Sequence, residues 1–438
     1  MRIVIFSIGT QGDVRPFVAL GVALQQLGHR VVIASGASCA ALIQENDLEY
    51  APLSADFLEV MASDPRAIQK GLNPIALVPT VRKHLRNMAS DWSTQAQSAV
   101  AGAELIIGNG MVALLASTMA ELVGAKCVET QLQPVTPCPD IPPMVLKPGR
   151  KKLPGAVNLG LYQFARVLTW QMLGAAYAQL RRDLKLKPYP WYGPYYRQES
   201  RDRYRLLAYS PSLLAPSPHW PQNIKVVGNF YLEQAASWTP PESLEAFLAA
   251  GEKPIYIGFG SMVAEDKSTF SERILAGILA SGRRAIIASG WGGLEISANK
   301  NCYVLDAAPH DWLFPKVALA VHHGGAGTTA AAARAGIPSV IIPFFGDQPF
   351  WAWTLLQAGA APTALDRKTF TAEQFAAAVN LAHSEIMQGK AAELGEKMRR
   401  ENGVAEAIRC MTEAGLLDAV AAEESLRVID GELQRCVG

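Results

Sequence analysis

The chain has little net charge and few cysteines, and these shortages exclude several classes of protein. Its 438 residues include 40 basic and 39 acidic residues, a net charge of +1. A nucleic-acid-binding protein usually carries a strong basic excess, so that class is disfavoured. The six cysteines are scattered and form no CxxC pair, which argues against a disulfide framework or a zinc site. We therefore expect no bound metal and a reducing compartment.

The sequence also lacks the features of a secretion signal and of a membrane span. Its N-terminus begins with a strand-like run instead of the basic and apolar regions of a signal peptide. The most apolar long segment, 105–120, contains Gly-Asn-Gly and is shorter than the roughly 20 apolar residues that a spanning helix needs. We expect a soluble cytoplasmic protein.

The length and the hydrophobic content indicate two folded domains. Half of the residues are hydrophobic and 18% are charged, as in globular proteins. A chain of 438 residues is too long for one hydrophobic core and favours two domains of about 200 residues each. The segment 233–254 is rich in Ala, Pro and Glu, so we place the domain boundary near residue 235.

The first half starts as a βαβ unit, and the second half repeats its rhythm. Residues 3–6 predict a buried strand, 9–16 a turn, 17–27 a helix that Gly28 ends, and 31–33 the next strand. Such units imply a parallel sheet with right-handed crossovers. Further strands are predicted at 105–107, 127–128, 206–208, 226–227, 255–257, 285–288, 303–305, 318–321 and 340–342.

The strongest local signal is the string HHGGAGTT at 322–329. It follows the apolar run 317–321 and precedes an alanine-rich helix. Glycines at such a turn let the backbone approach a ligand, and a helix N-terminus offers N–H groups and partial positive charge to a phosphate. His323 can add a hydrogen bond or a positive charge, and Thr328 a hydroxyl. The alternative is a plain glycine turn with Thr328 as N-cap, but the number of polar groups here favours phosphate binding.

Two other phosphate-binding motifs are missing. The P-loop string GxxxxGK[ST] does not occur. A dinucleotide fold needs GxGxxG after the first strand and an acidic residue about 20 positions later. Here the first turn reads GTQG and the second strand ends in Ala34 and Ser35, so both requirements fail.

Acidic residues follow two of the predicted strands. Asp347 and Gln348 come after the strand 340–342, where a carboxylate and an amide can bind adjacent sugar hydroxyls, although a helix cap is the simpler role. Asp13 lies in the first turn of the other half. It either caps the following helix or faces a cleft and takes a proton from an acceptor hydroxyl.

A basic and aromatic segment, 147–184, interrupts the alternation of strands and helices. Four of the residues in 147–152 are basic, and 157–184 reads as an apolar helix. We favour an excursion that packs on the N-terminal domain. The alternative is a lip that contacts a membrane surface or admits a hydrophobic acceptor.

Together these motifs resemble the nucleotide-sugar glycosyltransferases of the GT-B fold, family 1. The likeness is strongest to sterol glucosyltransferases and to the glycosyltransferases of glycopeptide antibiotics. It covers nearly the whole chain, and its most specific parts are HHGGAGTT followed by PFFGDQPFW. The resemblance implies two Rossmann-like α/β domains whose parallel sheets face each other across a cleft. Residues 1–235 would bind the acceptor, 236–418 the nucleotide sugar, and a helix in 419–438 would pack back on the N-terminal domain.

The resemblance also implies a role for each matching position. Asp13 stands in a GDVRP setting where many members have a histidine, and it matches the subgroup with an aspartate base. Plant members stack a tryptophan on uracil where this chain has Ala307, so the nucleotide preference stays open. The implied donor-binding residues are Ser261, His323, Gly325, Gly327 and Thr328 for the phosphates, Trp291 and His310 with its preceding backbone for the base, and Asp347 and Gln348 for the sugar.

The implied reaction is inverting transfer of glucose from UDP-glucose to a sterol, terpenoid, polyketide or lipid alcohol. The nucleotide sugar is a co-substrate, and neither a cofactor nor a metal is expected because the protein supplies the positive potential. Three alternatives remain: a dTDP-deoxysugar transferase, a non-hydrolysing epimerase, and a non-catalytic protein that binds nucleotide sugars. Asp13 and the GDQ string argue against the epimerase, and Asp13 together with HHGGAGTT argues against the non-catalytic protein.

Overall fold

The chain folds into two α/β units, each built around a parallel β-sheet. The computed structural model describes residues 1–54, 74–144, 153–235, 238–260, 262, 266–289 and 294–418. The predicted fold class is confirmed. Within these residues the cysteines are free thiols, and no helix is both long enough and apolar enough to cross a lipid bilayer.

The N-terminal sheet has the strand order β3-β2-β1-β4-β5-β6-β7, with neighbouring strands parallel. The central strands β1 and β4 are rich in Ile and Val because helices cover both faces of the sheet. The order reverses between β1 and β4, and ligands of such sheets bind beyond the carboxyl ends at this switch point. The strands are β1 (Arg2–Phe6), β2 (Arg30–Ser35), β3 (Glu49–Pro52), β4 (Leu105–Asn109), β5 (Lys126–Gln131), β6 (Tyr204–Leu207) and β7 (Ile224–Val226).

The C-terminal sheet has the order β10-β9-β8-β11-β12 and is also parallel. Its switch point lies between β8 and β11, so the turns after these two strands are where a ligand is expected. The strands are β8 (Ile255–Gly258), β9 (Ala285–Ala288), β10 (Cys302–Leu305), β11 (Leu319–His322) and β12 (Ser339–Ile341).

Helices cover both sheets. The predicted excursion is the long helix α5, whose Tyr177 packs 6.3 Å from Trp92 of α3 between ring centroids. The excursion therefore packs on the N-terminal domain as predicted, while 147–152 lies outside the described residues. The described helices are α1 (Gln11–Gln26), α2 (Ala40–Gln44), α3 (Pro74–Ala99), α4 (Ala113–Val123), α5 (Gly155–Asp183), α6 (Gln198–Asp202), α7 (Glu242–Ala249), α8 (Lys267–Ser281), α9 (His310–Leu313), α10 (Ala326–Ala335), α11 (Gln348–Gln357), α12 (Ala372–Ala382), α13 (Glu385–Arg399) and α14 (Gly403–Glu413).

The first helix begins six residues earlier than predicted. The apolar spacing predicts a turn at 9–16 and a helix only from Phe17, but α1 starts at Gln11. Thr10 is the N-cap, and the Asp13 side chain accepts a hydrogen bond from its backbone N–H, which completes one half of a capping box. Pro16 removes only one backbone hydrogen bond near the start of the helix. Asp13 therefore lies in the first helical turn instead of a loop.

The return of the chain to the N-terminal domain also comes earlier than predicted. We assigned 236–418 to the C-terminal domain, but α14 packs its Ile408 and Met411 into the core around Val14 and Phe17 of α1. The Lys126 Nζ donates to the Gly415 carbonyl at 2.7 Å. The apolar face of α14 covers α1, which explains this position. The helix predicted in 419–438 lies outside the described residues and stays a prediction.

Replacing Gly403 with alanine is expected to lower the free energy of unfolding by about 1–3 kcal/mol. A Cβ at Gly403 would lie 2.4 Å from the Asn229 carbonyl oxygen and 2.5 Å from the Gly228 carbonyl oxygen. Both atoms belong to the backbone. They lie where the segment that leaves the N-terminal domain meets the start of α14, which returns to it, so they cannot move aside without a large loss of stability. Gly389→Ala in α13 is the control, because a Cβ there meets nothing within 4 Å. Chemical denaturation measures both variants, and an equal loss in the two would contradict the packing argument.

The two domains share one buried apolar cluster. Leu207 and Tyr209 of the N-terminal domain pack with Phe350 and Trp351 of α11, and the rings of Tyr209 and Trp351 are 6.4 Å apart. Burial of this surface favours a fixed arrangement of the domains over free rotation. The loops after β5 and β12 also meet, because Gln133 donates to Asp347 at 3.3 Å, so the carboxyl ends of both sheets face one cleft.

Candidate active site

The turn after β11 presents a helix N-terminus to the cleft. His322 ends the strand fully buried, and its Nδ1 accepts a hydrogen bond from the Gly324 N–H at 3.0 Å. Gly324 has a φ of +89°, which a glycine adopts without strain. Gly325 is the N-cap of α10, and the exposed Gly327 lies in the first helical turn. Free N–H groups at this end can bind an anion.

His323 lies against the glycines of this turn. A Cβ on Gly325 would come within 2.5 Å of its Nε2, so only a glycine leaves room for the ring. A Cβ on Gly260, in the turn after β8, would lie 3.6 Å from its Cε1. Burial lowers the pKa of His323 to about 4. The ring is therefore neutral near pH 7, which favours the predicted hydrogen-bonding role over the predicted positive charge.

His310 belongs to the same polar group. Its ring stacks on Phe314, with 4.3 Å between centroids. Burial, with a smaller contribution from the positive charge of Arg15, lowers the pKa of His310 to about 4. The next residue, Asp311, accepts hydrogen bonds from the backbone N–H groups of Gln234 and Ala235 at 2.7 and 2.8 Å. This short helix therefore fixes the segment that links the two domains.

Asp347 lies at the N-terminus of α11 and joins the two domains. Its Oδ2 accepts hydrogen bonds from Trp351 Nε1 at 2.9 Å and from Gln133 Nε2, in the loop after β5, at 3.3 Å. Burial raises the pKa of the Asp347 carboxyl group, and the charge of Asp13 raises it further. The two carboxylates predicted from the sequence are therefore close enough to interact across the cleft.

Gln348 is buried and shapes the loop before its helix. Its Oε1 accepts hydrogen bonds from the N–H groups of Phe344 and Phe345 at 2.6 and 3.1 Å, and its Nε2 donates to Met262 Sδ at 3.4 Å. The side chain thus ties the turn after β12 to the turn after β8. A contact between Gln348 and a sugar stays a prediction.

Asp13 caps α1, which is one of the two roles that the sequence left open, and its role as a base stays a prediction. Its Oδ2 accepts hydrogen bonds from the Thr10 N–H at 2.8 Å and from Thr10 Oγ1 at 3.0 Å, which caps α1. Among the described residues no donor reaches its Oδ1. A Cβ on Gly9 would lie 2.4 Å from Oδ2, so this glycine makes room for the carboxylate. Burial raises the pKa of Asp13 above its usual value despite the Thr10 hydrogen bonds.

Two of the predicted site residues, Ser261 and Trp291, lie outside the described residues. The structure brings the other predicted residues together at one cleft: Asp13, His310, 323–328 and Asp347. It also adds two residues that we did not predict, Gln133 and Arg15. The Arg15 guanidinium donates to Gln234 Oε1 and lies near Asp311. Gln133 lies two residues after the end of β5, and a position just after a parallel strand is the signal that could have identified it.

Lowering the pH below about 6.5, the usual histidine pKa, is expected to reduce the free energy of unfolding. Burial holds the pKa of His310, His322 and His323 below this value, so the unfolded chain takes up protons first as the pH falls. For His323 the loss amounts to about 2 kcal/mol at pH 5. The raised pKa values of Asp13 and Asp347 oppose this change at lower pH.

Chemical denaturation at pH 7 and pH 5 measures this dependence. The variant His323→Gln has no titrating ring, and we expect its stability to depend less on pH than that of the parent chain. An unchanged free energy of unfolding between the two pH values would contradict the burial of three neutral rings.

Comparisons with known proteins match both halves of the chain. A family model described as the glycosyltransferase family 28 N-terminal domain matches residues 3–110. A model described as the C-terminal domain of erythromycin biosynthesis protein CIII-like proteins matches residues 295–413. The first range contains Asp13, and the second contains the turn after β11 and Asp347. Both sides of the cleft thus fall within matched domains.

Related chains are longer than this one. Sterol 3-beta-glucosyltransferase UGT80A2 of Arabidopsis thaliana is 34% identical over 93% of this chain, and the chain spans 65% of that protein. The sterol 3-beta-glucosyltransferase of Aspergillus oryzae is 30% identical over 94% of this chain, which spans 30% of that protein. The chain thus spans less than two thirds of the length of these relatives.

Solved structures share the fold at low sequence identity. The glycotransferase of kitacinnamycin superposes with a TM-score of 0.69 at 18% identity, over 95% of this chain and 99% of its own. Glycosyltransferase SsfS6 of Streptomyces sp. SF2575, complexed with thymidine diphosphate, superposes with a TM-score of 0.60 at 18% identity, over 94% of this chain and 99% of its own. Residues 3–110 are thus similar to a glycosyltransferase family 28 N-terminal domain and residues 295–413 to a CIII-like C-terminal domain, and the chain has the GT-B fold that the resemblance implied.

Proposed function

We propose that this chain transfers glucose from UDP-glucose to the hydroxyl of a hydrophobic alcohol, with inversion at the anomeric carbon. The observation that carries the proposal is the pair of facing groups in the cleft. The Asp13 carboxylate lies on one side, and the N-terminus of α10 with His323 lies on the other side near Asp347. A base and an anion site that face each other suit a displacement at a sugar phosphate.

Asp13 acts as the general base of this displacement. The acceptor oxygen attacks the anomeric carbon while its proton moves to Asp13 Oδ1, and the bond from the anomeric carbon to the diphosphate oxygen breaks. The raised pKa of Asp13 makes its ionised form a better proton acceptor. One displacement converts an α-linked donor into a β-glycoside.

The N-terminus of α10 and His323 stabilise the departing diphosphate. The helix supplies N–H groups and partial positive charge without a metal ion. His323 is neutral and partly buried, and its Nε2 lies beside Gly325 at the N-terminus of α10. A proton on Nε2 can therefore be donated to a phosphate oxygen at this helix end. Gly325, Gly327 and Thr328 complete this site.

The walls of the cleft suit a hydrophobic acceptor. Met111 follows β4, Val135 follows β5, and both side chains are exposed. Phe345, beside Asp347 in the other domain, is exposed as well. An apolar alcohol would cover these side chains on binding, which is favourable by about 25 cal/mol per Å². The names of the relatives favour a sterol among such alcohols.

A dTDP-sugar donor is the second candidate. One structural neighbour is complexed with thymidine diphosphate, and the chain has Ala307 where plant members stack a tryptophan. The base itself is expected near His310 and Trp291. A non-catalytic protein would bind the nucleotide without turning over the sugar.

Nucleotide release tests these candidates. UDP-glucose, UDP-galactose and dTDP-glucose are each incubated with the chain and a pool of sterols, terpenoids and phenols, with EDTA and without. We expect UDP release from UDP-glucose that depends on the acceptor and is unaffected by EDTA. Release from dTDP-glucose alone would show that the donor is a dTDP-sugar. UDP binding without release from any donor would indicate a binding protein instead of an enzyme.

A further inference from the structure

An apolar stripe lies exposed along the first half of α5. One face of the helix carries Val157, Phe164 and Val167. Gly160 lies on this face as well, because successive positions of the set are three or four residues apart. Phe164 is 54% exposed and Val167 51%. The opposite face of α5 is buried against α3. A helix with one face in the core rarely keeps a second apolar face in water, so this stripe suggests a binding surface.

An aromatic loop continues this surface. Trp191 is 88% exposed, and the neighbouring Tyr192 and Tyr196 are exposed as well. The loop is fixed on α5, because Trp170 Nε1 donates to the Trp191 carbonyl at 2.8 Å and the Tyr196 hydroxyl donates to Gln163 Oε1 at 2.6 Å. The Trp191 indole is therefore held in solvent by a fixed backbone.

The same part of the sequence carries a concentrated positive charge. Residues 147–205 contain 13 Lys and Arg and 3 Asp and Glu, a formal charge of +10, while the whole chain carries +1. Some of these cations are paired, as Arg181 is with Glu121 at 2.8 Å. Lys185 and Lys187, just before the aromatic loop, are exposed. The remainder of the chain is correspondingly acidic.

We propose that the stripe of α5 and the aromatic loop together form a lipid-docking face that binds an anionic membrane surface. Indole and phenol rings settle at the level of lipid headgroups, and Lys and Arg are attracted to anionic lipids. Exposed aromatic rings and the exposed Lys185 and Lys187 lie on one stretch of the chain here, a combination that suits an anionic lipid surface better than a protein partner. A helix that lies in the plane of the interface buries its apolar stripe there.

The lipid-docking face borders the cleft. Asn158 Nδ2 donates to the Pro139 carbonyl at 2.8 Å, and the Tyr162 hydroxyl donates to the Ile141 carbonyl at 3.2 Å. These bonds join α5 to the loop that carries Gln133, which reaches Asp347. A hydrophobic alcohol dissolved in the bilayer would therefore enter the cleft from this side. The route for the acceptor rests on the proposed function, but the docking itself does not.

Co-sedimentation of the full chain with vesicles tests the proposal without any catalysis. We expect binding to phosphatidylcholine vesicles with roughly 30 mol% phosphatidylglycerol, weaker binding to phosphatidylcholine alone, and weaker binding in high salt. The variant F164S/V167S/W191S should bind anionic vesicles about tenfold less. The control L381S/I386S removes side chains of the C-terminal domain that are 53% and 81% exposed, and it should bind like the parent chain.

Three outcomes would overturn the proposal. The first is that the parent chain fails to bind anionic vesicles. The second is that both variants lose binding equally. The third is that the parent chain forms dimers that only the triple variant abolishes. The last result would assign the surface to a second copy of the chain. UDP affinity is measured for every variant, and its retention shows that a loss of vesicle binding is not a loss of fold.

Discussion

Asp13→Asn is expected to lower the turnover by about 10²–10⁴-fold and to leave the affinity for UDP nearly unchanged. The asparagine side chain keeps an oxygen that accepts the Thr10 hydrogen bonds, so the cap of α1 is retained. It cannot accept the proton of the attacking hydroxyl. Asp13→Ala removes the cap as well and is expected to cost about 1 kcal/mol of stability in addition. Turnover assays and UDP titration measure the two effects separately.

The pH profile distinguishes a base from a structural residue. As Asp13 loses its proton, kcat/KM should rise with pH, which gives the profile an ascending limb. Because burial raises the pKa of Asp13, this limb should lie above 3.8, the ordinary pKa of an aspartate, and Asp13→Asn should lose it. His310 and His323 titrate near pH 4 and should add no limb near neutrality. Thr10→Val removes a hydrogen bond that lowers the pKa of Asp13, so the limb should move to higher pH. An Asp13→Asn variant with near-normal turnover would make the base assignment wrong.

Much of the fold could be predicted because its strands are short apolar runs between turn residues. The strand predicted at 285–288 has the same bounds as β9, and the other predicted strands overlap observed ones. The edge strand β3 was missed, since Glu49–Pro52 contains no β-branched residue and ends in proline. Its pairing with β2 comes from tertiary contacts that no local pattern carries.

The same reasoning explains the errors at helix ends and domain boundaries. The apolar spacing that predicts the first helix begins at Phe17, but the cap formed by Thr10 and Asp13 starts α1 ahead of it. The passage of α14 onto the N-terminal domain depends on the close approach of Gly403 and Gly228, which lie far apart in the sequence. A glycine alone does not show which backbone it approaches.

The site could be predicted as a set of strand ends but not as a set of contacts. Asp13, His323 and Asp347 each follow a strand, and the carboxyl ends of parallel strands meet at one edge. The charge state of His323 depends on its burial, and the bond from Gln133 to Asp347 depends on the fit of the two domains. Neither can be read from a motif.

Gly325→Ala is expected to weaken UDP binding by roughly 5–150-fold, which corresponds to an overpacking cost of about 1–3 kcal/mol. The backbone at Gly325, with φ −62° and ψ 147°, is accessible to alanine, so backbone strain contributes little. The cost comes from the Cβ, which would lie 2.5 Å from His323 Nε2 and push the ring out of the phosphate site. Gly389→Ala, with no atom within 4 Å of its Cβ, is the matched control and should bind UDP like the parent chain.

A double-mutant cycle decides whether Gly325 acts through His323. If the methyl group that Gly325→Ala adds acts by displacing the His323 ring, it has nothing to displace once His323 is replaced by alanine. Gly325→Ala should then weaken UDP binding much less in the His323→Ala background than in the parent chain. Equal penalties in both backgrounds would mean that the methyl group blocks the phosphate directly. Isothermal titration of the four proteins with UDP separates these cases. A strong coupling between the two positions would show that this glycine is required because a buried, neutral histidine must lie beside the N-terminus of α10.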